Sequence, residues 1–327
     1  MPANLTPDYH RAEAAFRAAK TTEEKIAALE EMLRVVPKHK GTDGLQADLK
    51  ARLAKFRRMP AKKGVRATHS HIVPREGAGQ IALVGPPNTG KSALVTALTH
   101  ATPAVGEYPF TTREAVPGMM AFEDIQIQLV DLPPVSTQHL EPWVFDIVRG
   151  ADLAWLVLDA DAPLAGFDEA AEVLAACHVA LQPAGGPAAE VEPPATPVPA
   201  LVVFTGLDKP KAADSIEAFD DLTDRRWPIL GVSSVTREGF DALRRKTFEA
   251  LGIIRVYAKE PGKPADRDKP FTLPRGSTVA DLAVRIHKDV AATMRFARVW
   301  GPSAFEGQSV HHDHVLAEGD VVEIHAR

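Results

Sequence analysis

Cysteine is almost missing from this chain: Cys177 is the only one in 327 residues. No disulfide can form within it, which suits a reducing cytosol and a cytoplasmic location. No apolar run approaches the roughly 18 residues of a membrane-crossing helix, so no membrane association is expected. Met1 to Thr6 lacks the apolar stretch of a secretion signal. Basic excess is missing too, since the net charge is -5 and the whole molecule is no polycation. Internal repeats are absent. What is there is ordinary globular material, 45% hydrophobic and 25% charged, long enough for two or three domains and a sizeable core.

Three segments are expected. Residues 1–75 read as helical and basic. Thr21 and Glu24 suit a capping box before a helix carrying Ile26, Leu29, Leu33 and Val36. Pro37 to Gly44 interrupts the pattern, and Leu45, Leu49, Leu53 and Phe56 stripe a second helix, which together predict an antiparallel helical hairpin. From Lys50 to Arg66 there are eight Lys or Arg and no Asp or Glu. That run suits a grip on RNA phosphates and equally a solvated face with a flexible basic linker.

Residues 76–254 alternate strands and helices, the pattern of a parallel α/β domain. Leu153 to Asp159 and Ala200 to Thr205 are continuous apolar runs, as strands buried on both faces are. Pro183 to Pro199, rich in Pro, Ala and Gly, reads as a mobile loop. Residues 255–327 form a small last unit, with short β-type runs around one helix near Thr278 to Lys288 and a closing strand at Val321 to Ile324.

One stretch carries most of the chemistry. Gly85-Pro86-Pro87-Asn88-Thr89-Gly90-Lys91-Ser92 fits G-x-x-x-x-G-K-[ST] between an apolar strand, Gln80 to Val84, and a helix start at Ala93 to His100. Strand, glycine loop and helix N-terminus together form a phosphate cradle. Backbone N–H groups of about residues 88 to 92 would face a β-phosphate, Lys91 would reach the β and γ oxygens, and Ser92 would hold Mg²⁺. The two prolines precede these donors, so their missing N–H groups cost little.

A second Mg²⁺ ligand must come from a segment that senses the γ-phosphate. Thr112 is the first choice and Thr111 the second, in a segment 16 to 20 residues after Ser92. Asp131, ending the alternating run from Ile125, would hold Mg²⁺ through a water. Asp208 can accept two hydrogen bonds from guanine N1 and N2, where adenine would be repelled. Ser233-Ser234 offers a backbone N–H to guanine O6.

At these residues the chain resembles the TGS-containing branch of the Obg-like GTPases, the DRG (developmentally regulated GTP-binding) proteins. Pro37 to Thr42 with Leu45 to Asp48, and Tyr108 to Glu114, are similar to that branch. So are Ile286 to Lys288, Ala297 to Gly301, Asp313 to Leu316 and Gly319 to Ile324, which follow the order of a TGS domain, a ubiquitin-like β-grasp module. The resemblance implies a P-loop GTPase domain with a parallel-rich sheet, GTP/GDP and Mg²⁺ as ligands, slow hydrolysis, and engagement of ribosome or RNA through the basic hairpin and TGS unit, with a partner protein also open. By it, Ser92 and Thr112 correspond to Mg²⁺ ligands. Gly85 to Ser92, then Phe110, Thr111, Thr112, Arg113 and Glu114, then Asp131, Leu132, Pro133 and Pro134 surround the phosphates. Thr205, Gly206, Leu207 and Asp208 surround the base.

Three departures stand out. D-x-x-G reads Asp131-Leu132-Pro133-Pro134, so the N–H that glycine would give the γ-phosphate is missing. A charge-assisted hydrogen bond is worth about 1.5–3 kcal/mol, so GTP-over-GDP preference should fall roughly ten- to hundredfold. N-K-x-D reads Thr205-Gly206-Leu207-Asp208, so no aliphatic stem at residue 206 lies on the base. Thr205 replaces an asparagine amide only in part. The family's small inserted domain is absent. No catalytic residue stands out: Val135 cannot orient water, and Gln138 and His139 read as solvated loop residues. Asn88 leaves a K⁺ role open beside a loop-stabilising one. His311-His312-Asp313-His314 is spaced too tightly for one tetrahedral metal. The expectation is a Mg²⁺-dependent GTP switch with weak GTPase activity; the alternative is a non-hydrolysing RNA- or protein-binding scaffold with a degenerate site.

Overall fold

Apolar spacing near the start of the chain produces three helices rather than two: α1 (Pro7–Ala18), α2 (Thr22–Val35) and α3 (Asp43–Arg58). The expected pair is α2 and α3. The additional α1 forms because Tyr9, Ala12 and Phe16 fall on one face and pack into the cluster of Leu29, Met32, Leu49 and Leu53. The computed structural model describes residues 7–18, 22–36, 43–58, 73–99, 115–136, 141–187 and 190–326. Thr21, Lys62, Lys63 and the side chains of Arg57 and Arg58 lie outside that description. Met1–Ser70 is one unit and His71–Arg327 another.

In the second unit, continuous apolar runs become the inner strands of a seven-stranded sheet. Its elements are β1 (Gln80–Val84), α4 (Lys91–Leu98), β2 (Val116–Phe122), β3 (Ile125–Asp131), α5 (Pro142–Gly150), β4 (Leu153–Asp159), α6 (Pro163–Ala176), β5 (Val179–Pro183), β6 (Thr196–Thr205), α7 (Ala212–Leu222), β7 (Ile229–Val232) and α8 (Phe240–Ala250). The order is β2-β3-β1-β4-β6-β5, with β7 also on β6, and only β2 runs antiparallel to its neighbour. Both faces are covered. Ala82, Val84, Leu156 and Leu158 face the core with Val144, Val148 and Val173 from α5 and α6. Ile81, Leu83, Trp155 and Val157 face Leu94, Leu98, Phe240 and Leu243 from α4 and α8.

The segment expected as one long loop is strand only at its ends, at Pro183 and from Thr196 on. β6 begins at Thr196, and Ala180 and Gln182 of β5 stand opposite Pro197 and Pro199. β4 reaches β6 only from Ala200 onward. The Thr196 N–H bonds the His178 carbonyl on the β5 side. In a parallel ladder alternate residues bond opposite neighbours, so the two prolines face the side that β4 has not reached, where no N–H is required.

A second sheet follows from β8 (Ile253–Lys259), β9 (Phe271–Pro274), α9 (Val279–Ile286), α10 (Lys288–Thr293), β10 (Met294–Gly301), β11 (Ala304–Val310) and β12 (Asp320–Ala326), ordered β11-β10-β12-β8-β9. The central β12–β8 pair is parallel and the rest antiparallel, with α9 packed on one face through Val279, Leu282 and Ala283. A capping box of Thr278 and Asp281 starts α9. The single helix expected to Lys288 is broken at His287, whose ring accepts from the Asp289 N–H and starts α10. His312 and His314 accept through their carbonyls from the Ala280 and Val279 N–H groups, so this turn serves the start of α9.

One cluster joins the sheets. Arg255 on β8 bonds Glu123 and Asp124 in the β2–β3 turn and Glu318 before β12, and Tyr257 donates to Asp124. Its guanidinium also lies over Phe248, 5.1 Å from the ring centre. Burial opposes the Arg255 charge, but the three carboxylates hold its pKa well above the ordinary value.

Candidate functional site

The loop from Gly85 to Ser92 leaves β1 at the carboxyl end of the sheet and enters α4. Gly85 has φ +153°, and a Cβ there would stand 2.2 Å from the Val157 carbonyl oxygen. Only glycine lets the loop start that close to β4. Asn88 (φ 62°) and Gly90 (φ 79°) take the left-handed turns that curl the chain, and Gly90 caps α4 with no side-chain hydrogen bond to its first amides. Thr89 secures the curl by donating to the Pro86 carbonyl at 3.1 Å.

Lys91 is 6% exposed and donates to the Gly85 and Pro86 carbonyls at 2.9 and 2.7 Å. Burial brings its pKa down to about 8, with the Asp131 charge opposing the shift. Ser92 donates to one Asp131 oxygen at 2.5 Å. The other Asp131 oxygen is buried without a hydrogen-bond partner among the described residues. Burial raises the Asp131 pKa, against the Ser92 bond and the Lys91 charge. An orphaned carboxylate oxygen beside a serine hydroxyl, next to a phosphate loop, is a donor set that fits Mg²⁺. Ser92 and Asp131 thus meet as expected, while Phe110, Thr111, Thr112, Arg113 and Glu114 lie outside the described residues, as do Gln138 and His139.

The altered D-x-x-G segment packs rather than projects. Leu132 and Val135 are buried in the core, Pro134 is exposed, and the Val135 N–H is spent on the Gly85 carbonyl at 3.1 Å. Neither residue 134 nor residue 135 therefore offers an amide to a γ-phosphate.

At the base end, the Thr205 hydroxyl donates to the Thr89 carbonyl at 2.8 Å, tying β6 to the phosphate loop. Leu207 donates its N–H to the Val232 carbonyl, which brings the β6 and β7 ends together. Asp208 is exposed, and the Ser233 hydroxyl lowers its pKa. The Ser233 N–H is bonded to the Glu238 carbonyl, so it is not free for the role expected of Ser233-Ser234. Sequence reasoning missed Lys209. Its ammonium bridges Asp159 and Asp161 at 2.8 Å each, and these two carboxylates raise its pKa. Its position directly after Asp208 was the only signal. No helix among the described residues is long and apolar enough to cross a membrane.

Comparison with known proteins places this geometry. Residues 80–182 match the 50S ribosome-binding GTPase family, and residues 254–326 match the TGS domain. The chain is 30% identical over 363 residues to an uncharacterized GTP-binding protein of Methanocaldococcus jannaschii, covering 92% of each. It is 26% identical over 360 residues to developmentally-regulated G-protein 1 of Arabidopsis thaliana, covering 92% of this chain and 90% of that one. A GTP-binding protein of Pyrococcus horikoshii, 16% identical, shares the fold at a TM-score of 0.50 over 76% of this chain and 100% of its own.

Proposed function

The chain belongs to the DRG-type GTP-binding proteins, which join a GTPase domain to a TGS domain, and from that premise we propose a Mg²⁺-dependent guanine-nucleotide switch with slow hydrolysis that engages ribosome or RNA. The observation that carries the reading is the Ser92–Asp131 pair with its partnerless carboxylate oxygen, held beside buried Lys91. When bound, Mg²⁺ supplies charge neutralisation between the β- and γ-phosphates. Ser92 and Asp131 would hold it, Asp131 through a water, with Thr112 as the further ligand. Lys91 exchanges its two loop carbonyls for phosphate oxygens. The first amides of α4 face the phosphate tail, and Asp208 accepts from guanine N1 and N2, with the Ser234 amide on O6.

One observation supports slow turnover. Val135 is packed in the core and orients no water. Unassisted hydrolysis on the order of 10⁻² s⁻¹ or slower is expected. Asn88 is the residue through which K⁺ would act. The basic run of α3 and the TGS sheet are the surfaces proposed for RNA or ribosome contact, with a partner protein as a further occupant.

Calorimetry with GTP, GDP and ATP, with and without Mg²⁺, tests the pocket: guanine nucleotides should bind in the micromolar range and ATP should not. Phosphate release, alone and with ribosomes and in K⁺ against Na⁺, tests the switch. No binding of any purine nucleotide at millimolar dose overturns it. The spent Val135 amide and the proline at 134 favour a second reading, a scaffold that binds nucleotide without hydrolysing it. Ribosome binding unchanged by GTP, with no phosphate release, would select that one.

A further inference from the structure

Gly206 stands where a side-chain stem would be needed to lie along the base, and the structure fills that space from elsewhere. Gly206 has φ +78°, and a Cβ built on it would lie 2.8 Å from Lys209 Cε, 2.9 Å from Cδ and 3.3 Å from Cγ. The lysine stem therefore runs across the face that glycine leaves open. The backbone turns to put it there, with the Lys209 N–H closing on the Gly206 carbonyl at 2.9 Å. The end of the side chain is fixed by three contacts: both Asp159 oxygens at 2.8 and 2.9 Å and Asp161 at 2.8 Å. The same turn carries Asp208, and Thr205 at its start is tied to the phosphate loop through Thr89. The strand end that carries Asp159 lies beside that of Thr205, with the Ala160 N–H on the Thr205 carbonyl.

We propose that Lys209 is the base-contacting residue of this protein, its methylene stem forming the wall that residue 206 does not supply, with Asp159 and Asp161 as the positioning pair that holds the stem extended. The ligand is the guanine ring of a nucleoside di- or triphosphate, so the proposal rests on the nucleotide reading above. A stem that crosses a purine contributes through apolar contact, while its ammonium stays on Asp159 and Asp161. Glycine at 206 is then a requirement: a side chain there would compete with Lys209 for one space, in a backbone conformation that favours glycine.

The test is equilibrium binding of GDP with Mg²⁺ by calorimetry. Lys209→Ala should weaken GDP about tenfold. Lys209→Met, which keeps an apolar stem but loses the hold of Asp159 and Asp161, should fall between Lys209→Ala and the parent. Gly206→Lys alone should weaken binding, and the exchange Gly206→Lys with Lys209→Gly should restore most of it. In the unaltered protein labelled with ¹³C-lysine, the Lys209 methylene protons should move upfield on GDP addition, through the ring current of the base. This last measurement needs no variant that has to fold. Lys209→Ala binding GDP like the parent, Gly206→Lys tightening GDP with Lys209 in place, or GDP bound with no methylene shift would each overturn the proposal alone. A parent protein that binds no GDP removes the nucleotide reading and this proposal together.

Discussion

Replacing Asp131 with Asn should make the protein more stable without ligand and less responsive to Mg²⁺ and nucleotide. Asp131 is 9% exposed; one oxygen accepts from Ser92 and the other has no partner. A buried, partnerless charged acceptor costs about 1–3 kcal/mol. A neutral amide sheds most of the desolvation cost but leaves its own donor partly unmet, so a gain of about 1–2 kcal/mol is expected. For a unit of this size that is roughly 2–6 °C in Tm. The raised pKa sets the sign with pH. The folded state binds the Asp131 proton more tightly than the unfolded chain does. Its destabilisation is therefore in full force above the raised folded pKa, and is relieved as the pH falls through it toward the ordinary value of 3.8. Asp131→Asn should remove that slope. Thermal melts from about pH 4 to 8, with and without GDP and Mg²⁺, read both effects. Loss of the Mg²⁺ ligand should cost about tenfold in GDP affinity, close to 1.4 kcal/mol of the ligand-induced stabilisation. The reasoning fails if the variant melts lower without ligand, or if its Mg²⁺-dependent shift equals the parent's.

Three further outcomes follow from other contacts. Lys91, with its pKa brought down to about 8 by burial, releases its proton in the folded state before the unfolded chain does. Ligand-free stability should therefore rise between about pH 8 and the ordinary 10.5, by up to about 3 kcal/mol, and Lys91→Met should abolish that rise in urea titrations. Gly85→Ala should lose about 2–3 kcal/mol and nearly all nucleotide binding, because its Cβ would meet the Val157 carbonyl at 2.2 Å; normal melting with intact binding would contradict this. Arg255→Ala leaves three carboxylates facing each other and should cost about 2–4 kcal/mol, with a coupling of about 1–3 kcal/mol to Asp124→Ala in a double-mutant cycle.

The phosphate loop was legible because its chemistry is local. Eight consecutive residues between a strand and a helix specify the cradle, and Gln80 to Val84 and Ile125 to Asp131 alternate or run apolar as β1 and β3 require. The closing strand and the Thr278 cap of α9 were legible for the same reason. Misreadings came where the deciding partner was distant or the signal weak. Pro183 to Pro199 looks like a loop by composition, yet its last four residues are strand, because the late start of β4 makes Pro197 and Pro199 harmless.

Order along the chain determined the family, a GTPase domain followed by a TGS domain, and the guanine-nucleotide class, since each follows from residue type at short spacing. Three-dimensional packing decided what the departures mean. It spent the Val135 amide on Gly85, left one Asp131 oxygen without a partner, and laid Lys209 over Gly206 from three residues away. Those outcomes depend on which groups meet across strands far apart in sequence, where desolvation and close approach, not local preference, set the energy.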